Sequence, residues 1–162
     1  CLKVLKDFRL SEFNYRYCDK DKADVFLGVQ VFSDKERLRL EKSLHDNDYP
    51  FKDLSTSDLA KDHIRHMIGG RAKQVPDELV FRLHFVDRPN SLLELLRVIS
   101  SKWNISLFHF RSHGADFNRA LLGIQVPHAN KKELIEKLKT RVLFIKEETK
   151  NPAYKSFLRV DD

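Results

Sequence analysis

Two short stretches of this chain place aromatics, a polar residue and an arginine at one spacing. Ser11-Glu12-Phe13-Asn14-Tyr15-Arg16 is echoed 95 positions later by Ser106-Leu107-Phe108-His109-Phe110-Arg111. Side chains on an extended strand alternate between faces. Phe13 and Tyr15 therefore share one face, and Asn14 and Arg16 the other. Phe108 and Phe110 likewise oppose His109 and Arg111. The aromatic faces read as packing against helices. The arginines have two readings, a solvated surface cation or a carboxylate ligand, since a planar guanidinium grips a carboxylate with two parallel hydrogen bonds. Their recurrence in both copies favours a site, although shared ancestry alone would also keep them. A ligand touching both an aromatic and its neighbouring arginine must lie at a strand end or a domain edge.

Other reactive residues offer less. His63 and His66 lie three apart, but a chelate needs a third ligand, and the surrounding sequence supplies none. His109 and His113 would be roughly 13 Å apart on an extended chain, too far to share a metal. Cys1 and Cys18 have no zinc or disulfide spacing, which fits a reducing compartment. Gly69-Gly70-Arg71 reads as a helix C-cap rather than an anion cup. With no GxSxG, Walker-type loop or HExxH, the sequence assigns no catalytic residue and no metal site.

The elements that must carry these stretches follow from periodicity. In the second copy, residues 79–86 alternate apolar and polar as a strand does. Arg88-Pro89-Asn90-Ser91 is a turn with Asn90 at a helix N-cap, and apolar residues over 92–103 form a helical stripe. Strands are expected at 105–111 and 120–126, joined by a turn at 113–116. Pro127 precedes an amphipathic helix at 131–140, and 142–145 is the last strand. This β-α-β-β-α-β order is the ferredoxin-like unit. A second echo keeps the same offset: Leu27-Gly28-Val29-Gln30-Val31 returns as Leu122-Gly123-Ile124-Gln125-Val126.

The first copy has the same order without its beginning. Residues 1–7 read as a helix tail, 10–18 and 25–32 as strands, and Ser33-Asp34-Lys35-Glu36 as a capping box opening a helix to about 45. Residues 49–54 close the unit. The counterpart of the 79–86 strand falls before residue 1, so a parent chain or a partner is expected to supply it. The expected fold class is α+β: two ferredoxin-like subdomains, 1–55 (lacking its opening strand) and 78–162, joined by a capped helix and turn over 56–77. Asp161-Asp162 reads as a frayed tail.

The 162 residues are 41% hydrophobic, enough for a core, and carry a net charge of +6. Opposite charges are interspersed, as in Asp19-Lys20-Asp21-Lys22 and Lys131-Lys132-Glu133, which argues for a mixed-sign surface over a nucleic-acid footprint. No apolar run reaches membrane-span length and no signal-peptide pattern opens the chain.

At the two motifs the chain resembles a known family. Ser11 to Tyr17 and Trp103 to Gly114 are similar to the carboxy-terminal regulatory region of the biosynthetic threonine deaminases. So are Asp53-Leu54-Ser55, His66-Met67-Ile68-Gly69-Gly70-Arg71 and Glu148-Thr149-Lys150-Asn151-Pro152-Ala153-Tyr154. The resemblance implies two ACT-like domains that bind isoleucine as feedback inhibitor and valine as its antagonist. It also implies a pyridoxal-phosphate-dependent catalytic domain elsewhere in the parent, which deaminates threonine to 2-oxobutanoate, with no cofactor in this region.

The resemblance makes Tyr15 the effector tyrosine of the first copy, with Phe110 where many relatives have a second tyrosine. Asn90 stands where relatives often have glycine. The expected effector-binding set is Asn14, Tyr15, Arg16, His109, Phe110 and Arg111, with Arg16 and Arg111 holding a carboxylate or the contact between domains. A homo-oligomer without nucleic-acid or membrane partners is expected, in the cytoplasm or, for a eukaryotic parent, the plastid or mitochondrial matrix. The alternative function is an RNA-binding module, because RNA-recognition domains share this topology and stack bases on sheet aromatics such as Phe108 and Phe110.

Overall fold

A computed structural model describes residues 4–17, 23–73, 75–112, 114 and 116–160. Cys1, Cys18, the run 19–22, His113 and Asp161-Asp162, all considered above, lie outside these.

Strands β1 (Arg9–Arg16) and β2 (Val25–Gln30) form an antiparallel pair, followed by helix α1 (Asp34–His45). Ser33 caps α1, accepting from the Glu36 amide at 3.2 Å, while the Glu36 carboxylate reaches back to the Phe32 amide at 2.7 Å. That exchange satisfies amides that the first helical turn leaves without partners.

The connector comprises α2 (Asp58–Asp62), a 3-10 turn over Ile64–His66 and the short strand β3 (Ala72–Lys73). It is more broken than a continuous helix to Met67 would be. Gly69 and Gly70 both take positive φ and reverse the chain.

The second copy follows as β4 (Glu78–Val86), α3 (Ser91–Ser100), β5 (Asn104–Arg111), β6 (Phe117–Gln125), α4 (Lys131–Lys139) and β7 (Phe144–Glu147). This is the β-α-β-β-α-β order. Helix α5 (Pro152–Leu158) and β8 (Arg159–Val160) end the described chain, with β8 parallel to β3.

One antiparallel sheet runs β2-β1-β5-β6-β4-β7. Its core face carries Phe81, Leu83, Phe85, Phe108, Phe110, Leu122 and Ile124, packed with Leu92, Leu95, Leu96 and Ile99 of α3 and Leu134 and Leu138 of α4. Phe13 joins the same core from β1, edge-on to Phe108 at 5.8 Å. Edge-to-face rings align a positive rim with a negative face.

Residues 49–54 do not form the closing strand expected of the first copy. In the second copy the corresponding strand, β7, is held by β4. Residues 49–54 have no strand beside them among the described residues, and a strand without a ladder leaves its backbone groups to water. Phe32, Leu38 and Phe51 accordingly stay exposed around α1.

Candidate functional site

The two echoed stretches are next-door neighbours. β1 pairs with β5 antiparallel, with Asn14 opposite His109, Phe13 opposite Phe110 and Tyr15 opposite Phe108. Asn14 and His109 are themselves counterparts at the 95-residue offset, so a local two-fold axis passes between them. That symmetry sends the two arginines to opposite ends of the seam. Arg16 lies opposite Leu107, and Arg111 lies opposite Glu12.

Arg16 is almost wholly buried and forms a two-pronged pair with Glu78 of β4. One guanidinium nitrogen bonds Glu78 Oε1, and the other donates to Oε2 at 3.2 Å and to the Leu158 carbonyl at 2.8 Å. Ser106 Oγ and the Tyr154 hydroxyl also donate to the Glu78 carboxylate. One carboxylate thus ties β1, β4, β5 and α5 together. Burial, and then the bond to Glu78, push the Tyr154 phenol up to about 12, with the Arg16 charge opposing. A carboxylate taken out of water needs this number of donors.

Two glycines make the room. A Cβ on Gly123 would lie 2.6 Å from Leu107 Cβ and 2.9 Å from Glu78 Oε1, and one on Gly69 would overlap Arg16 and lie 2.8 Å from its carbonyl oxygen. Through Glu78, Arg16 of the first copy is thus bonded to the opening strand of the second.

Beside this network the connector covers the middle of the seam. Glu12 pairs with Arg65. The Asn14 amide donates to Glu12 Oε1 at 2.7 Å and to the Arg65 carbonyl at 3.1 Å. Those two bonds use both amide protons and fix its orientation. Asn14 Oδ1 is left buried without a hydrogen-bond partner among the described residues. Across the seam, His109 is exposed, yet desolvation of the ring is the main cause of its lowered pKa. The Glu12 charge works against that shift, and the His66 and Arg111 charges add to it. Arg111 is exposed.

Tyr15 and Phe110 lie on the other face of the sheet. Phe110 is packed into the core, tilted against Phe85 at 5.7 Å, and Tyr15 is partly buried against the same core. The six expected residues thus lie on one seam, divided between its two faces. Glu78, Ser106, Tyr154, Glu12 and Arg65 complete the polar face and were not singled out from the sequence. Glu12 and Ser106 lie inside the echoed stretches and Tyr154 inside a stretch that carries the resemblance, while Glu78 shows only as an acid opening an apolar strand and Arg65 as one charge of the connector.

The RNA-binding alternative is not supported. Phe108 and Phe110 are 0% and 2% exposed and point into the helices, where no base can stack. At the turn after β4, Asn90 adopts the left-handed geometry (φ 65°) but makes no side-chain cap. A cleft of about 210 Å³ beside it is lined by Arg88, Glu94 and Arg141, whose charges are spent on each other: Glu94 Oε2 is 2.9 Å from Arg88 and 3.8 Å from Arg141.

Among the described residues no cluster of three or more His, Cys, Asp or Glu is placed to hold a metal, and no helix is long and apolar enough to cross a membrane. Gly28, Gly69 and Gly123 are closed by packed neighbours, whereas Gly70 and Gly114 have none within 4 Å.

One complete and one partial ferredoxin-like half, sharing a sheet through equivalent strands with α3 and α4 on its apolar face, define a tandem ACT-like module. The family model described as the C-terminal regulatory domain of threonine dehydratase matches residues 1–64 and 69–158. The chain belongs to that family. It is 40% identical over 155 residues to the biosynthetic L-threonine dehydratase IlvA of Burkholderia multivorans, covering 96% of this chain and 31% of the relative. It is 36% identical to its Escherichia coli counterpart (92% and 29% covered) and 32% identical to the mitochondrial threonine dehydratase of Saccharomyces cerevisiae (97% and 29%). The chain therefore spans about a third or less of these relatives, and the match is to a regulatory region rather than a catalytic one.

Proposed function

We propose that this chain is an effector-sensing module that binds isoleucine and valine at the β1–β5 seam. The observation that carries the reading is Asn14 Oδ1 in the middle of the seam, a buried acceptor without a partner among the described residues. An unpaired buried acceptor is costly, and a ligand ammonium group is a donor that would satisfy it. His109 lies directly opposite Asn14, and Leu121 opposite His109 on β6. Exposed Arg111 offers a guanidinium for the carboxylate. Tyr15 and Phe110, behind the same strands, set how the seam packs, and Arg16 fixes the end of β1 through Glu78.

Isoleucine and valine differ by one methylene, worth only about 1–3 kcal/mol in a pocket. Opposite regulatory effects therefore require different preferences for two arrangements of the seam, not affinity alone. The target of that signal is a pyridoxal-phosphate-dependent catalytic domain in a parent enzyme that deaminates threonine, assembled as a homo-oligomer in the cytoplasm, plastid or mitochondrial matrix. Calorimetric titration of the chain with isoleucine, valine and threonine tests the reading. Saturable binding of isoleucine, weakened at least tenfold by Asn14→Ala in a protein of unchanged circular dichroism, is expected. Absence of heat and of any thermal shift with every branched-chain amino acid would overturn it.

A further inference from the structure

The open part of the polar face holds an arrangement that the fold does not need. In the cross-strand row next to Asn14 and His109, Arg111 of β5 lies directly opposite Arg119 of β6, and Arg119 lies opposite His84 of β4. Like charges directly opposite one another destabilise a sheet. Sheets usually relieve such a pair with a neighbouring acid, and here the acids nearby are engaged. Glu12, the residue opposite Arg111 on β1, is paired with Arg65 and Asn14. Glu148 is paired with Arg82 and Lys146.

Neither Arg111 nor Arg119 makes an ion pair among the described residues, and both are exposed. Arg119 leans over the Phe117 ring at 5.4 Å. His84, stacked on Phe117 at 5.3 Å, adds no charge to the pair: its pKa is lowered, first by burial and then by the charges of Arg119 and Arg82.

We infer that Arg111 and Arg119 together form a carboxylate site, and that its occupant is the α-carboxylate of the amino acid whose ammonium group is held at Asn14. The inference rests on the effector reading above and adds Arg119 to it. Two guanidiniums side by side offer a carboxylate charge-assisted hydrogen bonds to both oxygens, and the negative charge relieves their mutual repulsion. The anion gains from a cost the folded protein already carries. An acidic side chain of a partner protein presents the same chemistry, so the test separates the two sources.

Arg119→Gln is titrated calorimetrically with isoleucine, with isoleucinamide, which lacks the carboxylate, and with a short glutamate-rich peptide. Isoleucine binding is expected to weaken about tenfold, with isoleucinamide binding unchanged. The unliganded variant is expected to melt slightly higher than the parent, because a like-charge pair has been removed. Weaker binding by a more stable protein is a signature that a merely structural role for Arg119 would not give. Equal losses for isoleucine and isoleucinamide, or no loss for either, would overturn the assignment. So would binding of the glutamate-rich peptide that depends on Arg119 while isoleucine binding does not. Failure of isoleucine to bind even the parent chain would instead sink the effector reading on which this inference rests.

Discussion

Glu78→Gln keeps the shape of a buried side chain and removes the charge that faces Arg16. The two side chains are 3% and 1% exposed, so water cannot replace the lost partner. Deleting one member of a buried pair leaves an uncompensated charge, at a cost of about 3–5 kcal/mol. Ser106 and Tyr154 donate to different carboxylate oxygens; an amide keeps one as an acceptor, and the hydroxyl facing its NH2 can turn to accept, so the main loss falls on Arg16. For a chain of this size each kcal/mol moves the midpoint by roughly 2–4 °C, giving a fall in Tm of roughly 6–20 °C. Replacing both members by apolar residues, Arg16→Met with Glu78→Leu, removes charge and countercharge together and should cost less than either single change. Urea unfolding of the parent, Arg16→Met, Glu78→Leu and the double variant closes a double-mutant cycle that measures the coupling. A single-mutant cost below about 1 kcal/mol, the level of an exposed pair, would refute the reasoning. Strict additivity of the two changes would do the same.

Tyr154 gives a pH dependence of definite sign. Its folded pKa is pushed up to about 12 from 10.0, so the fold favours the neutral phenol. That contribution is fully present below about pH 10 and is lost as the pH rises towards 12. Unfolding free energy should fall over that window, and Tyr154→Phe should flatten the fall; an identical slope in the variant would count against the network. The connector glycines make a graded pair. Gly70→Ala meets nothing within 4 Å and carries only the left-handed backbone cost, about 1–2 kcal/mol. Gly69→Ala adds overlap with Arg16 and should cost about 1–3 kcal/mol more in denaturant titrations. Equal losses would show that the connector does not close on β1 as described.

Most of the second copy can be read from the sequence, because its alternating apolar residues, the Arg88-Pro89-Asn90 turn and the Pro127 break each act locally. Residues 49–54 look like a strand for the same local reason, yet a strand needs a neighbour, and what lies beside a segment is not written within it. The arginines show a different blind spot. As sequence they are equivalent. The two-fold axis through Asn14 and His109 sends Arg16 towards Glu78 and Arg111 towards Arg119, giving one a buried partner and the other a like-charged neighbour. Glu78 and Tyr154 come from distant parts of the chain, and only the folded sheet brings their chemistry to Arg16. The resemblance pointed to β1 and β5 without distinguishing their faces.

The central claim is that the β1–β5 seam receives an amino-acid effector. Heteronuclear NMR of the labelled chain, titrated with isoleucine and then with competing valine, tests it most directly. Saturable shifts of the Asn14 and His109 signals and of the Arg111 side chain, reversed or redirected by valine, are expected. Saturable shifts confined to other parts of the chain, with these three unmoved, would contradict it.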